Sequence, residues 1–153
     1  MGLKGHPLGV GEELRQHDLF SRAIVSDYLF AKDRIFAYLN LNDAELQLYE
    51  KIYDLLRPRI VVPDLVVYLQ ARPEVLMKRI HLRGRDMESP INAGYLECLM
   101  RGYNQFFFHY DETPLLVVET SDIDFKNDPS QFHSVLEQIR KAKSGTRYFV
   151  PQT

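Results

Sequence analysis

Short, uniformly apolar runs alternate along this chain with longer stretches in which apolar residues recur at helical spacing. Within "RAIVSD", Ala23 to Val25 reads as a short buried strand that runs into a polar turn. "PDLVVYLQA" places a second strand over Leu65 to Leu69, and "PLLVVET" a third. Between them lie the helical patterns. Glu12 to Ala23 has helical composition, and after Asp27 a mostly helical segment carries Leu29, Phe30, Ile35, Phe36 and Leu39, with Ser26 or Asp27 available as its cap. Asn42 and Glu45 have capping-box spacing at the head of a helix that starts at Asp43 and runs to about Arg57, where Pro58 stops it. Pro73 to His81 is a further helix, and from Ile91 a long one carries Tyr95, Leu96, Leu99, Tyr103, Phe106, Phe107 and Tyr110 along one side. That aromatic row serves either core packing or contact with a partner. A last helix covers about Ser130 to Ala142, and the tail "KSGTRYFVPQT" finds no pairing partner.

Apolar strands separated by helices predict an α/β fold, a parallel sheet covered on both faces. Ligands of such sheets bind beyond the carboxyl ends of the strands, which singles out Ser26-Asp27, Gln70-Ala71 and Glu119 to Phe125. No repeat, linker or low-complexity stretch interrupts the pattern, so 153 residues are read as one domain.

Composition narrows the function classes. Hydrophobic content of 45% with 26% charged residues describes a globular chain with a core, and a net charge of -2 gives no reason to expect nucleic acid or an anionic membrane as partner. No apolar run approaches the ~18 residues of a membrane span, and the N-terminus lacks the apolar core of a signal peptide. The single cysteine, Cys98, reads as packing in a reducing compartment, and the five histidines are scattered, so no metal site is assigned. The expectation is a soluble cytoplasmic protein.

Two stretches carry chemistry. In "HPLGVGEE", His6 to Glu13 follow the frame of a phosphate-binding loop, G-x-x-x-x-G-K-[ST], through Gly9 and Gly11. Glu12 stands at the lysine position and Glu13 at the hydroxyl position, so two carboxylates face where a polyanion would sit. In "KRIHLRGRDMESP", Arg79 and Arg83 share a helix face, and Gly84 ends the helix and turns Arg85 back toward them. Three guanidiniums can then converge on one anion, or they merely complement the helix dipole. Glu88 can pair with these arginines or accept from a ligand hydroxyl. Asp27 reads as a helix cap.

"RIHLRGRDME" resembles the lid of the deoxynucleoside kinase family, R-x-x-x-R-x-R-x-x-E. "YLECLMRGYNQFFFHY" is similar to the helix that follows, "PLLVVETSDIDF" to the last strand and adenine-contacting loop, and "VSDYLFAKDRIFA" to the segment after the family's third strand. The likeness runs from about Leu14 to Ala142. It implies a three-layer P-loop kinase-like fold and transfer of the ATP γ-phosphate to a deoxynucleoside 5′-hydroxyl, with Mg²⁺, in nucleotide salvage. By the same resemblance Arg79, Arg83 and Arg85 would grip the donor phosphates and Glu88 the sugar 3′-hydroxyl. Asp124 and Phe125 would flank the donor adenine, and Gly9 and Gly11 would belong to the phosphate loop. Asp27 would be the general base, with Ser26 or Tyr28 at that position if the alignment slips by one, and Lys32 a weaker source of positive charge. Family members of this kind dimerise through a helix bundle, to which Asp43 to Arg57 would contribute.

Where the chain opens it departs from the family. Several dozen residues that separate the phosphate loop from the segment matching "ELRQHDLF" have no counterpart, and with them a central strand and much of the acceptor pocket. Each buried backbone group left unpaired costs ~1–3 kcal/mol, against ~5–15 kcal/mol for a whole domain. The sheet is therefore expected to pair Ala23–Val25 directly with Leu65–Leu69, to borrow a strand, or to fold poorly. Little or no turnover is expected from the chain alone. The competing readings are a non-catalytic binding or dimerisation subunit and a fragment without function.

Overall fold

The computed structural model describes residues 23–83, 92–125 and 127–151. The chain divides after Val62 into two compact units.

In the first unit a 3-10 turn, Phe30–Lys32, leads into α1, Asp33–Asn40, and then α2, Asp43–Leu56. The capping box forms as its spacing indicated: Asn42 Oδ1 accepts from the Ala44 and Glu45 amides at 3.0 and 3.1 Å, and Glu45 Oε2 accepts from the Asn42 amide at 3.0 Å. Arg57–Arg59, containing Pro58, tightens the exit into a 3-10 turn. Ala31, Ile35, Ala37 and Tyr53 are buried, and the Phe30 ring stacks on Tyr53 at 4.7 Å. Arg34 reaches from α1 to Glu50 on α2 at 3.2 Å and lies over the Tyr53 ring at 5.1 Å.

Two expectations fail here. Ala23–Val25 forms no strand, and Val25 is 95% exposed. Three apolar residues are too few to hold a strand without a paired neighbour. Nor does Ser26 or Asp27 cap the helix. Leu29 precedes the 3-10 turn without a side-chain cap, and the Ser26 hydroxyl accepts instead from the Tyr28 amide at 3.1 Å in a local turn.

The Tyr49 hydroxyl is buried with no hydrogen-bond partner among the described residues, and burial pushes its ionisation above the usual tyrosine range. Removing a desolvated, unpaired hydroxyl should stabilise. Tyr49→Phe is therefore expected to raise unfolding free energy by about 1 kcal/mol, read as a higher thermal midpoint; a lowered midpoint would mean that the hydroxyl is bonded after all.

The second unit is a parallel sheet of three strands in the order β1-β2-β3: β1 Val66–Gln70, β2 Leu115–Glu119 and β3 Thr146–Phe149. Val66 is opposite Leu115, and Leu115 opposite Thr146. Three helices connect and cover it: α3 Pro73–Arg83, α4 Ala93–Phe108 and α5 Pro129–Lys141. The alternating geometry of β2 splits its side chains between the two layers. Leu116 and Val118 pack with Ile123, Val135 and Ala142 on the α5 side, where Val67, Ile139 and Phe149 close the cluster. On the opposite face Tyr68 stacks on Phe107 of α4 at 4.4 Å. Helices thus lie on both faces of a parallel sheet, as the apolar strands implied.

β3 was not expected from the tail. Its residues are largely exposed, only Phe149 packing on the core, so the segment lacks the apolar signature of a buried strand. Gly145, at φ 60°, turns the chain from α5 into it, and its carbonyl accepts from the Leu115 amide at 3.0 Å. The cysteine also departs from expectation. Cys98 is exposed, on the side of α4 opposite Leu96 and Phe107, where its sulfur lies 3.4 Å from an Arg101 guanidinium nitrogen. Leu96, Phe107 and Tyr110 of the aromatic row are buried, so much of that row packs the core. No helix among the described residues is long and apolar enough to cross a membrane. The helix expected over Glu12 to Ala23 lies outside the described residues except for Ala23 itself.

Candidate functional site

At the carboxyl ends of β1 and β2 the backbone ladder continues one residue past the strands, where the Thr120 amide donates to the Gln70 carbonyl at 2.7 Å. Thr120 is a buried polar residue, 3% exposed, and its hydroxyl donates to the same carbonyl at 2.9 Å. Arg79, midway along α3, meets it from the helix: Nη1 donates to Thr120 Oγ1 at 3.1 Å and Nη2 to the Thr120 carbonyl at 2.6 Å. α3 is thereby tied to the end of β2.

A second arginine joins the two strand ends. The Arg72 amide donates to Ser121 Oγ at 2.8 Å, and its guanidinium grips Asp122 through both carboxylate oxygens, at 2.7 and 3.2 Å. Its Nε lies 3.3 Å from Glu74. The hydrogen bonds from Arg72 hold the Asp122 carboxyl below the usual carboxylate range, and Asp122 in turn raises the guanidinium. Below Asp122's depressed value this bond is lost, so its contribution is present above the ordinary aspartate range and disappears as acid protonates it. Arg72 was not singled out from sequence, and Thr120 only as part of the Glu119 to Phe125 junction, with no role of its own. The signal was their position, each just past the carboxyl end of an apolar strand.

Arg83 ends α3 one turn beyond Arg79 and is exposed. Arg85 and Glu88 lie outside the described residues, as do Gly9, Gly11, Glu12 and Glu13. Asp124 sits on the loop between β2 and α5, where its two carboxylate oxygens accept from the Asn127 amide at 3.1 Å and side chain at 2.7 Å. Its own amide donates to Gln131 Oε1 at 2.9 Å. These bonds fix the loop just before Asp128 caps α5. Phe125 is 41% exposed and meets Phe132 edge-on, their centroids 6.1 Å apart, so the loop offers two part-exposed aromatic rings. Asp27 belongs to the first unit, where it is exposed and its backbone carbonyl accepts from Lys32 Nζ at 2.9 Å. The structure brings Arg79 and Arg83 onto one helix, with Arg79 bonded to Thr120 at the start of the loop that leads to Asp124 and Phe125. Among the described residues no three His, Cys, Asp or Glu side chains gather.

On the α4 side of β1, Tyr68 OH and Gln70 Nε2 donate to Asn104 Oδ1 at 2.8 and 2.9 Å. Burial, with smaller effects from Tyr103 and Glu119, pushes the Tyr68 phenol up to about 12. Its folded value is raised, so its contribution is complete below the unfolded value of about 10 and is lost as pH climbs toward 12. The urea midpoint should fall between about pH 10 and 12, and Tyr68→Phe should fall less steeply over that window; parallel curves for the two chains would refute the assignment.

The family model described as "Deoxynucleoside kinase" matches residues 7–143. Deoxyguanosine kinase of Bacillus subtilis is 33% identical over 122 residues, covering 77% of this chain and 59% of that protein. Deoxycytidine kinase of Homo sapiens is 29% identical over 135 residues, covering 80% of this chain and 50% of that protein. Among solved structures, deoxyadenosine kinase from M. mycoides with bound dCTP superposes with a TM-score of 0.58 at 23% identity, over 73% of this chain and 58% of that one. That likeness agrees with the parallel sheet and its two helical layers as a P-loop kinase-like fold. The chain spans about half the length of the relatives it matches. A family match across most of the residues, joined to the parallel sheet with helices on both faces, has one consequence: this chain belongs to the deoxynucleoside kinase family.

Proposed function

We propose that the chain, as one kinase-like domain, takes part in ATP-dependent phosphorylation of a deoxynucleoside 5′-hydroxyl in cytoplasmic nucleotide salvage. The single observation that carries the reading is the lid helix, with Arg79 clamped at the strand ends and Arg83 one turn further on. Arg83 and Arg85, with the guanidinium donors of Arg79 that Thr120 leaves over, bind the donor phosphates and stabilise charge on the transferring group. Asp124 and Phe125 flank the adenine, Phe125 with an exposed ring available for stacking. Asp27 takes the proton of the attacking 5′-hydroxyl, Glu88 holds the 3′-hydroxyl, and the Gly9 and Gly11 backbone lies against phosphate. Mg²⁺ accompanies the nucleotide. Glu12 and Glu13 oppose phosphate binding at the loop, so turnover by this chain alone is low.

A second reading, a non-catalytic dimerisation subunit, is favoured by one feature of α2. Leu48, Ile52 and Leu55 form an exposed stripe at helical spacing, 60%, 48% and 74% exposed, which suits packing against a second copy in a helix bundle. The test is calorimetric titration of the folded chain with ATP and Mg²⁺, followed by assay of phosphate transfer to deoxynucleosides. Saturable ATP binding supports the kinase reading. A folded dimer that binds no nucleotide would support the subunit.

A further inference from the structure

We propose that Thr120 is a positioning residue for the lid arginines, acting through Arg79; the inference rests on the phosphate-binding role proposed above. Thr120 lies in the loop after β2, 41 residues from Arg79, at a place where the space and burial would suit valine equally well. A buried hydroxyl costs stability unless it is bonded, and this one is bonded in both senses, as donor to Gln70 and acceptor from Arg79. The same residue supplies a second acceptor, its carbonyl, to the other arm of the guanidinium. Two acceptors on one residue meet a planar, rigid fork, which fixes the plane of the group as well as its place. Of the five N–H donors of an arginine, Thr120 uses two, leaving the others for an anion.

The bond acts on α3 as a whole. Arg79 lies near the middle of the helix, so pinning it there sets both the depth and the rotation of the face that Arg83 shares one turn on. Ordering the lid base during folding removes that entropy cost from the binding step. Lysine at 79 would keep the charge and lose the fork.

The experiment uses the full chain with Thr120→Val and Thr120→Ser, read by amide hydrogen exchange over 72–83 without nucleotide and by ATP affinity. Valine should speed exchange in α3 and weaken ATP binding, each about tenfold, while serine restores both to within about twofold. A valine chain with wild-type exchange and wild-type affinity would overturn the proposal, as would faster exchange with unchanged affinity. Should that chain not fold, Arg79→Lys is read by exchange and by the effect on Arg83: faster exchange in α3, with an Arg83→Ala change that then costs less ATP affinity than in the wild type, supports the proposal, and wild-type exchange overturns it. A wild-type chain that exchanges slowly in α3 yet binds no ATP would sink the phosphate reading itself, leaving Thr120 a structural latch.

Discussion

Leu116→Ala should remove about 2–5 kcal/mol of stability from the second unit, the range for truncating a buried leucine. Leu116 is 0% exposed, second of the five residues of the central strand, and it packs with Val118, Ile123, Val135 and Ala142. Ladder bonds to β1 on one side and β3 on the other hold its backbone in place, so the wall around the deleted methyl groups has little freedom to collapse. The loss is a large share of the ~5–15 kcal/mol typical of a domain. Urea unfolding followed by circular dichroism should show a lower midpoint with an unchanged slope. A loss below about 1 kcal/mol would mean that the α5 side of the sheet is not the principal core.

Changing Arg83 and Arg85 together to alanine should weaken ATP binding by at least about 100-fold. A hydrogen bond to a charged group contributes about 1.5–3 kcal/mol, so two such contacts to phosphate give about 3–6 kcal/mol, and each 1.4 kcal/mol is tenfold. Fold stability should change little, because Arg83 is exposed at the last residue of α3 and Arg79 remains clamped by Thr120. The double variant therefore separates anion binding from folding. Calorimetry would measure the affinity, and a thermal midpoint near wild type would certify the fold. Affinity within threefold of wild type would remove the lid arginines from the proposed site and return them to the dipole-complementing role that their spacing also allowed.

The candidate site was legible to different depths. Arg79, Arg83 and the Asp124-Phe125 pair were found by spacing and by likeness to the kinase lid and loop, because those features are local and continuous in sequence. Arg72 escaped, and Thr120 was covered only by the Glu119 to Phe125 junction without a role, since what gives each its place is a partner 50 or 41 residues away. An arginine before a proline and a threonine after an apolar strand carry no motif of their own. For the same reason the fork between Arg72 and Asp122 could not be read from either residue.

By itself the sequence determined what depends on local composition and periodicity. The apolar run at Leu115 to Val118 had to be a buried strand, Asn42 with Glu45 had to open a helix, and Pro58 had to end it; the run at Leu65 to Leu69 formed a strand, Val66–Gln70, but not a fully buried one, since Leu69 is 55% exposed. Helices between parallel strands then required layers on both faces of the sheet. Tertiary structure decided the cases where local signals were weak or misleading. Ala23–Val25 is as apolar as a strand yet forms none, because a strand is made by its pairing and three residues cannot compel one. "TRYF" is largely exposed yet pairs with β2, because an edge strand needs one bonded neighbour and little burial. Cys98 faces outward because the phase of α4 is set by where Leu96 and Phe107 pack, and helical phase against a core is a property of the assembled layers.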